Sequence, residues 1–408
     1  MSDAAVDPHS LTLRRNVSGT LLVLYGVGTM IGAGIYALIG EVAAAAGWFA
    51  PLAFVLASVI AGLTAASFAE LSSRYPQSAG EAAYVSAAFD KPRLAVLVGL
   101  LIVASGIVSS GVMFRGFAGY AAGLAQFEPW HAYLGLAILV GGLASWGIGQ
   151  SVFAIAVITV IEAGAVFLVV MLGAFQGVDI PAALPVFGSA EAMGVIAGAV
   201  LAFYAFIGFE DMVNIAEEVK DPRRTMPRAI FIALAATALI YVALSVVAIS
   251  SGPVEVLAQS PEPMTLIFSR LSDWPSQWMS YVAILAVLNG ALVQILMASR
   301  VLYGLSRQAL IGPWLGRLNA RTQTPVVATM LVVSLVFLGA TLFPLTTLAQ
   351  FTSLFLLIVF ALVNVALIRV KARGQDHDGT FSVPLFIPYL GAFSAAMFAL
   401  ASLWQILT

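Results

Sequence analysis

Met30-Ile31-Gly32-Ala33-Gly34-Ile35-Tyr36 and Ala205-Phe206-Ile207-Gly208-Phe209-Glu210 place glycines near the middle of two apolar stretches, each long enough to cross a bilayer. The hydrocarbon interior has no water to satisfy freed backbone groups. A broken helix survives there only where its backbone lines a cavity inside the protein or contacts a ligand. Two such breaks in corresponding positions of two halves are the mark of a carrier's binding site.

The composition around these stretches agrees. The chain has 408 residues, of which 61% are hydrophobic and 9% charged. A soluble chain carries roughly a quarter charged residues, so most of this surface must face lipid. The net charge is −2, and nothing in its distribution points to a nucleic acid partner. There is no cysteine, which excludes a disulfide frame, a thiolate metal site and a cysteine nucleophile. Residues 1–16 are polar, with Arg14 and Arg15. The apolar run from Val17 continues past Gly40, longer than a signal peptide core, and reads as a retained span.

A span needs roughly 20 apolar residues. Candidates fall at 17–40, 51–71, 94–124, 131–149, 151–175, 192–216, 230–249, 279–303, 325–342, 345–368 and 387–406. The expected fold is an all-α integral membrane protein of about eleven transmembrane helices. Cationic residues in short loops set orientation. With the N-terminus in the cytoplasm, all of the 18 Lys and Arg except Arg115 and Arg270 fall in cytoplasmic segments. The same alternation puts Thr408 outside. Three connections carry patterns of their own: 72–90 and 304–324 on the cytoplasmic side, and 259–274 outside, with a helix-like period.

A half-helix that ends at a break exposes carbonyls. The half-helix that follows begins with free N–H groups and a positive dipole end. A zwitterionic amino acid uses both: its carboxylate fits the N–H groups of Gly32, Ala33 and Gly34, its ammonium the carbonyls near Met30 and Tyr204–Ile207. Glycine allows the close approach. Two other readings compete for the first span. Gly28-x-x-x-Gly32 is also a helix-packing spacing. Gly26, Gly28 and Gly32 mimic a dinucleotide fingerprint, but one residue too long and without a strand–turn–helix context.

These residues, with others, carry a resemblance. Gly28-x-x-Ile31-Gly32-x-Gly34-Ile35, then Glu70-Leu71 ahead of Tyr75-Pro76-x-x-x-Gly80, form the first part. Phe206-Ile207-Gly208-Phe209-Glu210, Glu217-Glu218-Val219-Lys220-Asp221-Pro222, Pro227-Arg228-Ala229-Ile230 and Ser299-Arg300-Val301-Leu302-Tyr303 form the second. The chain resembles the amino acid–polyamine–organocation (APC) transporter superfamily along nearly its whole length. The resemblance implies two inverted five-helix repeats, at 17–176 and 177–369. A cytoplasmic segment 1–16 precedes them, and 370–408 adds a loop and one extra helix. It implies substrate at the unwound parts of spans one and six: Met30, Ile31, Gly32, Ala33, Gly34 and Tyr36 from one, Phe203, Tyr204, Ala205, Ile207 and Gly208 from the other. Tyr204 matches the gating aromatic better than Phe203; core packing is the plainer alternative for either. Tyr36 stands where many relatives have Phe. Relatives commonly have twelve spans against eleven expected here, and some carry a span-five lysine where this chain offers Glu162.

Glu162 and Glu210 are the ionisable residues within spans to which coupling is assigned. A charge at mid-membrane costs roughly 2.5–3.5 kcal/mol on insertion scales. No lysine shares their spans, and Arg115 sits toward the outer end of span three. A carboxyl in that position can exchange its proton for a cation, so both are candidates for proton coupling. The plainer alternative is a hydrogen bond to a neighbouring helix. Asp211 is placed toward the cytoplasmic vestibule and Asn289 in span eight along the pathway or between helices. Glu70, Glu217 and Glu218 are placed near the cytoplasmic face, where Arg74, Arg223, Arg224 or Arg300 are available partners. His9, His131 and His377 all lie in loops, so no histidine relay within the membrane is expected.

The expected function is secondary active transport of an amino acid or related amine, with H+ as the coupling ion and Na+ still open. An obligate exchanger is the alternative. No His-Glu-x-x-His or Gly-x-Ser-x-Gly cluster supports an intramembrane enzyme, and no repeated pore loop supports a channel. No cofactor or metal is expected. The expected partners are the small-molecule substrate and the bilayer, and the expected location is the cell membrane.

Overall fold

The computed structural model describes residues 17–76, 80–124, 127–146, 152–177, 186–307, 310–319, 322, 324–374 and 380–407, with the side chains of 33, 146, 152–157, 214, 217, 218 and 307 left out. The expectations placed on 1–16 (Arg14, Arg15 and His9), on Arg321 and His377, and on the side chains of Ala33, Arg307, Glu217 and Glu218 lie outside the described residues. The protein is 85% helical, with no strand among the described residues. Among the described residues, eight helical segments are long and apolar enough to cross a membrane, and two shorter apolar helices accompany them.

The first span is two helices, α1 (Gly19–Met30) and α2 (Ala33–Ala46). The Ser18 hydroxyl caps α1 by accepting from the Leu21 N–H at 3.3 Å. Then follow α3 (Ala50–Arg74), α4 (Gly80–Phe89), α5 (Pro92–Ala122), α6 (Pro129–Trp146) and α7 (Val152–Gln176). The second break falls between α8 (Ser189–Ala205) and a 3₁₀ segment at Glu210–Glu218. After it come α9 (Pro222–Ser250), the short α10 (Val254–Ala258) and α11 (Pro263–Leu271), α12 (Gln277–Arg307), α13 (Val326–Leu342), α14 (Leu345–Ala372) and α15 (Phe386–Leu407). Prolines open many of these helices, because a first-turn N–H has no intrahelical partner to lose: Pro51, Pro92, Pro222 and Pro263 lie in first turns, and Pro325 and Pro344 just before. Each of the eleven expected spans corresponds to one of these helices or broken pairs. The helix-like period at 259–274 becomes α11, and the connection 72–90 contains α4.

The packing partners repeat. α1 rests on α7 and α9; α8 rests on α14 and α3. α5 contacts α6, α13 and α14; α12 contacts α13, α6 and α7. The pairs α2–α8, α3–α9, α5–α12 and α6–α13 join the first five spans to the second five. Exchanging the first five spans with the second five maps these contacts onto one another. The extra helix, α15, lies along α14 and α3.

Two buried polar clusters fix that outer layer. In the first, the Asn364 amide of α14 accepts from the Ser67 hydroxyl at 2.6 Å and donates to Thr64 Oγ1 at 3.0 Å and the Phe360 carbonyl at 2.8 Å. Gly391 of α15 lies against this amide, where a side chain would not fit. In the second, Glu70 Oε1 pairs with Arg74 Nη2 at 2.6 Å and Lys371 Nζ at 2.9 Å, while its Oε2 accepts from the Val383 N–H at 2.8 Å. Sequence reasoning offered Arg74 correctly. The second cation is Lys371 rather than Arg223, Arg224 or Arg300, because α3 packs beside α14 and brings the end of α14 over Glu70.

Glu70→Gln removes the buried charge that Arg74 and Lys371 share, a loss of roughly 3–5 kcal/mol for a buried pair broken on one side. The expected outcome is a melting temperature several degrees below wild type in detergent. An unchanged melting curve would contradict the role given to this cluster.

Candidate functional site

The two breaks touch. Ile31 leaves the helical region with φ −79° and ψ 55°, and Gly32 follows with φ −112° and ψ −145°. On the other side Gly208 has φ +122°, a left-handed conformation that favours glycine. A Cβ on Gly208 would stand 2.7 Å from the Thr29 carbonyl carbon and oxygen. The Thr29 hydroxyl donates to the Gly208 carbonyl at 2.9 Å. A Cβ on Gly34 would meet Ala205 Cα at 2.9 Å. The glycines therefore bring the two broken backbones together.

They do not share one task. A side chain at Gly28 would fall on Thr159 of α7, so Gly28 serves close helix packing, as the alternative for Gly28-x-x-x-Gly32 holds. Gly32 has no neighbour nearer than 3.8 Å to such a position. Both glycines border the cavity, Gly28 from its packed face on α7.

The released carbonyls find a partner from a third helix. The Tyr241 hydroxyl of α9 donates to the Met30 carbonyl at 2.6 Å and lies 3.0 Å from the Ala205 carbonyl. Its ring packs on Phe206 and Phe54, with centroids 5.2 and 5.8 Å apart. Sequence reasoning assigned these carbonyls to a substrate ammonium. In this conformation Tyr241 holds both. On the other side of the second break, the Gly208 N–H donates to Glu210 Oε2 at 2.8 Å.

A cavity of about 40 Å³ lies where the breaks meet. Of the residues expected from sequence, Met30, Gly32, Gly34, Tyr204, Ile207 and Glu162 line it; Thr29, Ser109, Asp211, Asn289 and Gln294 add polar groups. Tyr204 hydrogen-bonds Ser109 Oγ at 2.9 Å, which fixes its ring across the cavity from α5. Phe203 turns away and packs on Phe360, centroids 5.9 Å apart. Ile31, Tyr36, Ala205, Gly208 and Glu210 are buried around the cavity without lining it. Tyr36 reaches it through its neighbour, donating to the Glu162 carbonyl at 2.8 Å.

Two lining groups have acceptors without a partner. Glu162 Oε1 is buried with no hydrogen bond, and so is Asn289 Oδ1. Among the described residues, no Lys, Arg or His lines the cavity. Asp211, placed toward a vestibule from sequence, lines this cavity. The arrangement offers oxygen acceptors and helix-end N–H groups side by side, which suits a ligand bearing both an ammonium and a carboxylate.

The connection carrying α10 and α11 lies over α2 and α5. Gly40 sits under the Leu257 carbonyl, where a Cβ would be 2.8 Å away, and Gly119 under the Pro261 carbonyl at 2.5 Å by the same measure. The Tyr120 hydroxyl donates to the Tyr36 carbonyl at 2.6 Å and accepts from the Met264 N–H at 3.4 Å. Tyr241, Tyr120 and Ser109 were not singled out from sequence. A single tyrosine or serine in an apolar helix looks the same whether it meets lipid, core or a broken neighbour.

Gly208→Ala is expected to abolish ligand binding in protein that still reaches the membrane, because the new methyl meets the Thr29 backbone. Tyr241→Phe is expected to lower stability by about 1–3 kcal/mol, the cost of leaving a buried acceptor unpaired. Thermal melts of the purified variants in the same detergent check both the second value and the integrity of the first variant.

Known proteins bear on the site. The profile of the family described as amino acid permease matches residues 20–407. The chain is 30% identical over 400 residues to the vacuolar cationic amino acid transporter 2 of Arabidopsis thaliana, covering 91% of this chain and 62% of that one. It is 26% identical to the branched-chain amino acid permease BcaP of Bacillus subtilis (strain 168), over 91% of this chain and 84% of that one. It is 27% identical to the methylthioribose transporter of the same organism, over 95% and 88%. The chain spans 62–65% of the length of the three Arabidopsis cationic amino acid transporters it matches. These relatives are transporters and permeases, not enzymes. With broken helices meeting at one cavity and a family match across nearly the whole chain, this multi-pass membrane protein belongs to the amino acid permease family of the APC superfamily.

Proposed function

We propose that the protein is a secondary active amino acid transporter that works by alternating access and couples uptake to protons. The observation that carries this is the meeting of the two helix breaks at a cavity bordered by the buried, unpartnered Glu162 carboxyl. The substrate carboxylate binds the N–H groups at the start of α2, from Gly32 to Gly34. Its ammonium takes carbonyls at the ends of α1 and α8, displacing or sharing the Tyr241 hydroxyl. Ile207 and Tyr204 close over it.

The cavity as it stands has room for about three water molecules. An amino acid enters only when the surrounding helices part. Contacts on both sides would have to break in turn. On one side α11 rests on Tyr120 and α10 on Gly40. On the other, Val17 and Val219 form an isolated β-bridge, in which the Lys220 N–H donates to the Val17 carbonyl at 3.0 Å. This bridge joins the entry to α1 with the exit from the second break. We take residues 17–176 and 177–369 as the two repeats that rock against each other, and place the N-terminus in the cytoplasm, the C-terminus outside and the chain in the cell membrane.

Glu162 is assigned the coupling proton on its position, and Glu210 a supporting role, since its carboxylate is held by the Gly208 N–H. The relatives' names cover cationic and branched-chain amino acids and methylthioribose, so the side chain carried is a matter for a substrate panel. Obligate exchange is the second reading. It is favoured by the same cavity if Glu162 keeps its proton throughout the cycle.

Uptake of a labelled amino acid panel into proteoliposomes, with and without an inward proton gradient, is the direct test. Concentrative uptake that requires the gradient is expected, and Glu162→Gln is expected to lose it at least tenfold while retaining counterflow. Uptake restricted to preloaded vesicles would establish exchange instead. Gradient-driven uptake unaltered in Glu162→Gln would remove that residue from the coupling step.

A further inference from the structure

Three buried carboxyl groups lie together where α4 meets the 3₁₀ segment. Glu81, in the first turn of α4, is 5% exposed, Glu210 5% and Asp211 6%. α4 packs on the 3₁₀ segment that carries Glu210 and Asp211, so the Asp211 charge bears on both Glu81 and Glu210, and that of Glu81 on Glu210. Asp211 lines the cavity, so the cluster is continuous with it. Among the described residues, no Lys or Arg stands within ion-pair distance of any of the three.

The surrounding elements supply no counter-charge. The cations of α14 are engaged elsewhere. Lys371 pairs with Glu70, Arg373 pairs with Asp90 beyond the far end of α4, and Arg369 lies over the Phe89 ring at 5.1 Å. From α5, among the described residues, no charged group acts on Glu81. One group does point to an unfilled hydrogen-bonding role. Tyr84 lies one turn after Glu81 on the same helix face. It is fully buried, its hydroxyl has no partner, and Glu81 is the charged group that acts on it.

Three buried carboxylates with no cation at ion-pair distance among the described residues cannot all ionise. We propose that Glu81, with Asp211 and Glu210, forms a proton-binding site on the α4 side of the cavity, with the Tyr84 hydroxyl placed to donate to the Glu81 carboxylate whenever its proton leaves. The transfer is simple. An O–H bond on one carboxyl breaks as another forms on a neighbouring carboxylate or on water, and nothing is oxidised or reduced. The site rests on the proton coupling proposed above. It gives the proton a station between the cavity and the α4 surface. Burial, reinforced by the Asp211 charge, holds the Glu81 carboxyl up at about 8. The group therefore keeps its proton at neutral pH and yields it in mildly alkaline solution.

Infrared titration of the purified full chain in lipid nanodiscs tests this without any substrate. A protonated-carboxyl C=O stretch is expected to disappear with a midpoint near 8. Glu81→Gln is expected to lack that component and Glu81→Asp to keep one. Asp211→Asn is expected to move the midpoint to lower pH, because it removes a nearby negative charge. Should Glu81→Gln not fold, the Asp and Asn variants carry the test. A Glu81→Gln spectrum superimposable on wild type across the titration, or an unmoved midpoint in Asp211→Asn, would overturn the site. A band that titrates as expected in a protein whose uptake ignores the proton gradient would support the site and defeat the coupling alone.

Discussion

A carbonyl released from a helix within the hydrocarbon must find a donor in the protein or in a ligand, since lipid provides none. Most of the central architecture answers that constraint. α1 and α8 each stop at mid-span, so each leaves carbonyls open. α9 supplies Tyr241 to Met30 and Ala205, and Thr29 supplies its hydroxyl to Gly208. On the donor side, Glu210 takes the Gly208 N–H. The acceptors left open at Glu162 and Asn289 are gathered around one cavity.

The outer helices hold this arrangement by different means. The Asn364 cluster ties α14 to α3 through side-chain amide and hydroxyl groups, while α15 packs closely through Gly391. The Glu70 cluster ties α3, α14 and the segment before α15 through charge. Neither cluster reaches the cavity. Both bind helices that border the second half of the site, so rigidity is concentrated beside the parts expected to move.

Much of the fold was legible because glycine breaks and span lengths are local signals. The Gly32 and Gly208 breaks lie where the sequence places them, and all eleven spans emerge as helices or broken pairs. Of the two aromatics before the second break, Tyr204, which the resemblance favours, lines the cavity, while Phe203 packs on Phe360. The partners of the breaks were not. Tyr241 lies 211 residues from Met30 in the chain, and nothing near it in sequence separates it from a tyrosine that anchors a helix in a core. Lys371 as the second cation on Glu70, and Asp211 as a cavity residue, likewise depend on which helices lie side by side. Periodicity does not report that.

The Tyr241 contact has a further consequence. A hydroxyl carries one hydrogen, and here two carbonyls stand within its reach, at 2.6 and 3.0 Å. The broken halves are thus rival claimants on a single proton. When Met30 has it, Ala205 is the poorer served; a small turn of the phenol reverses the allotment. The two released carbonyls are in this way made unequal at any instant, although each stands at the end of its own half-helix.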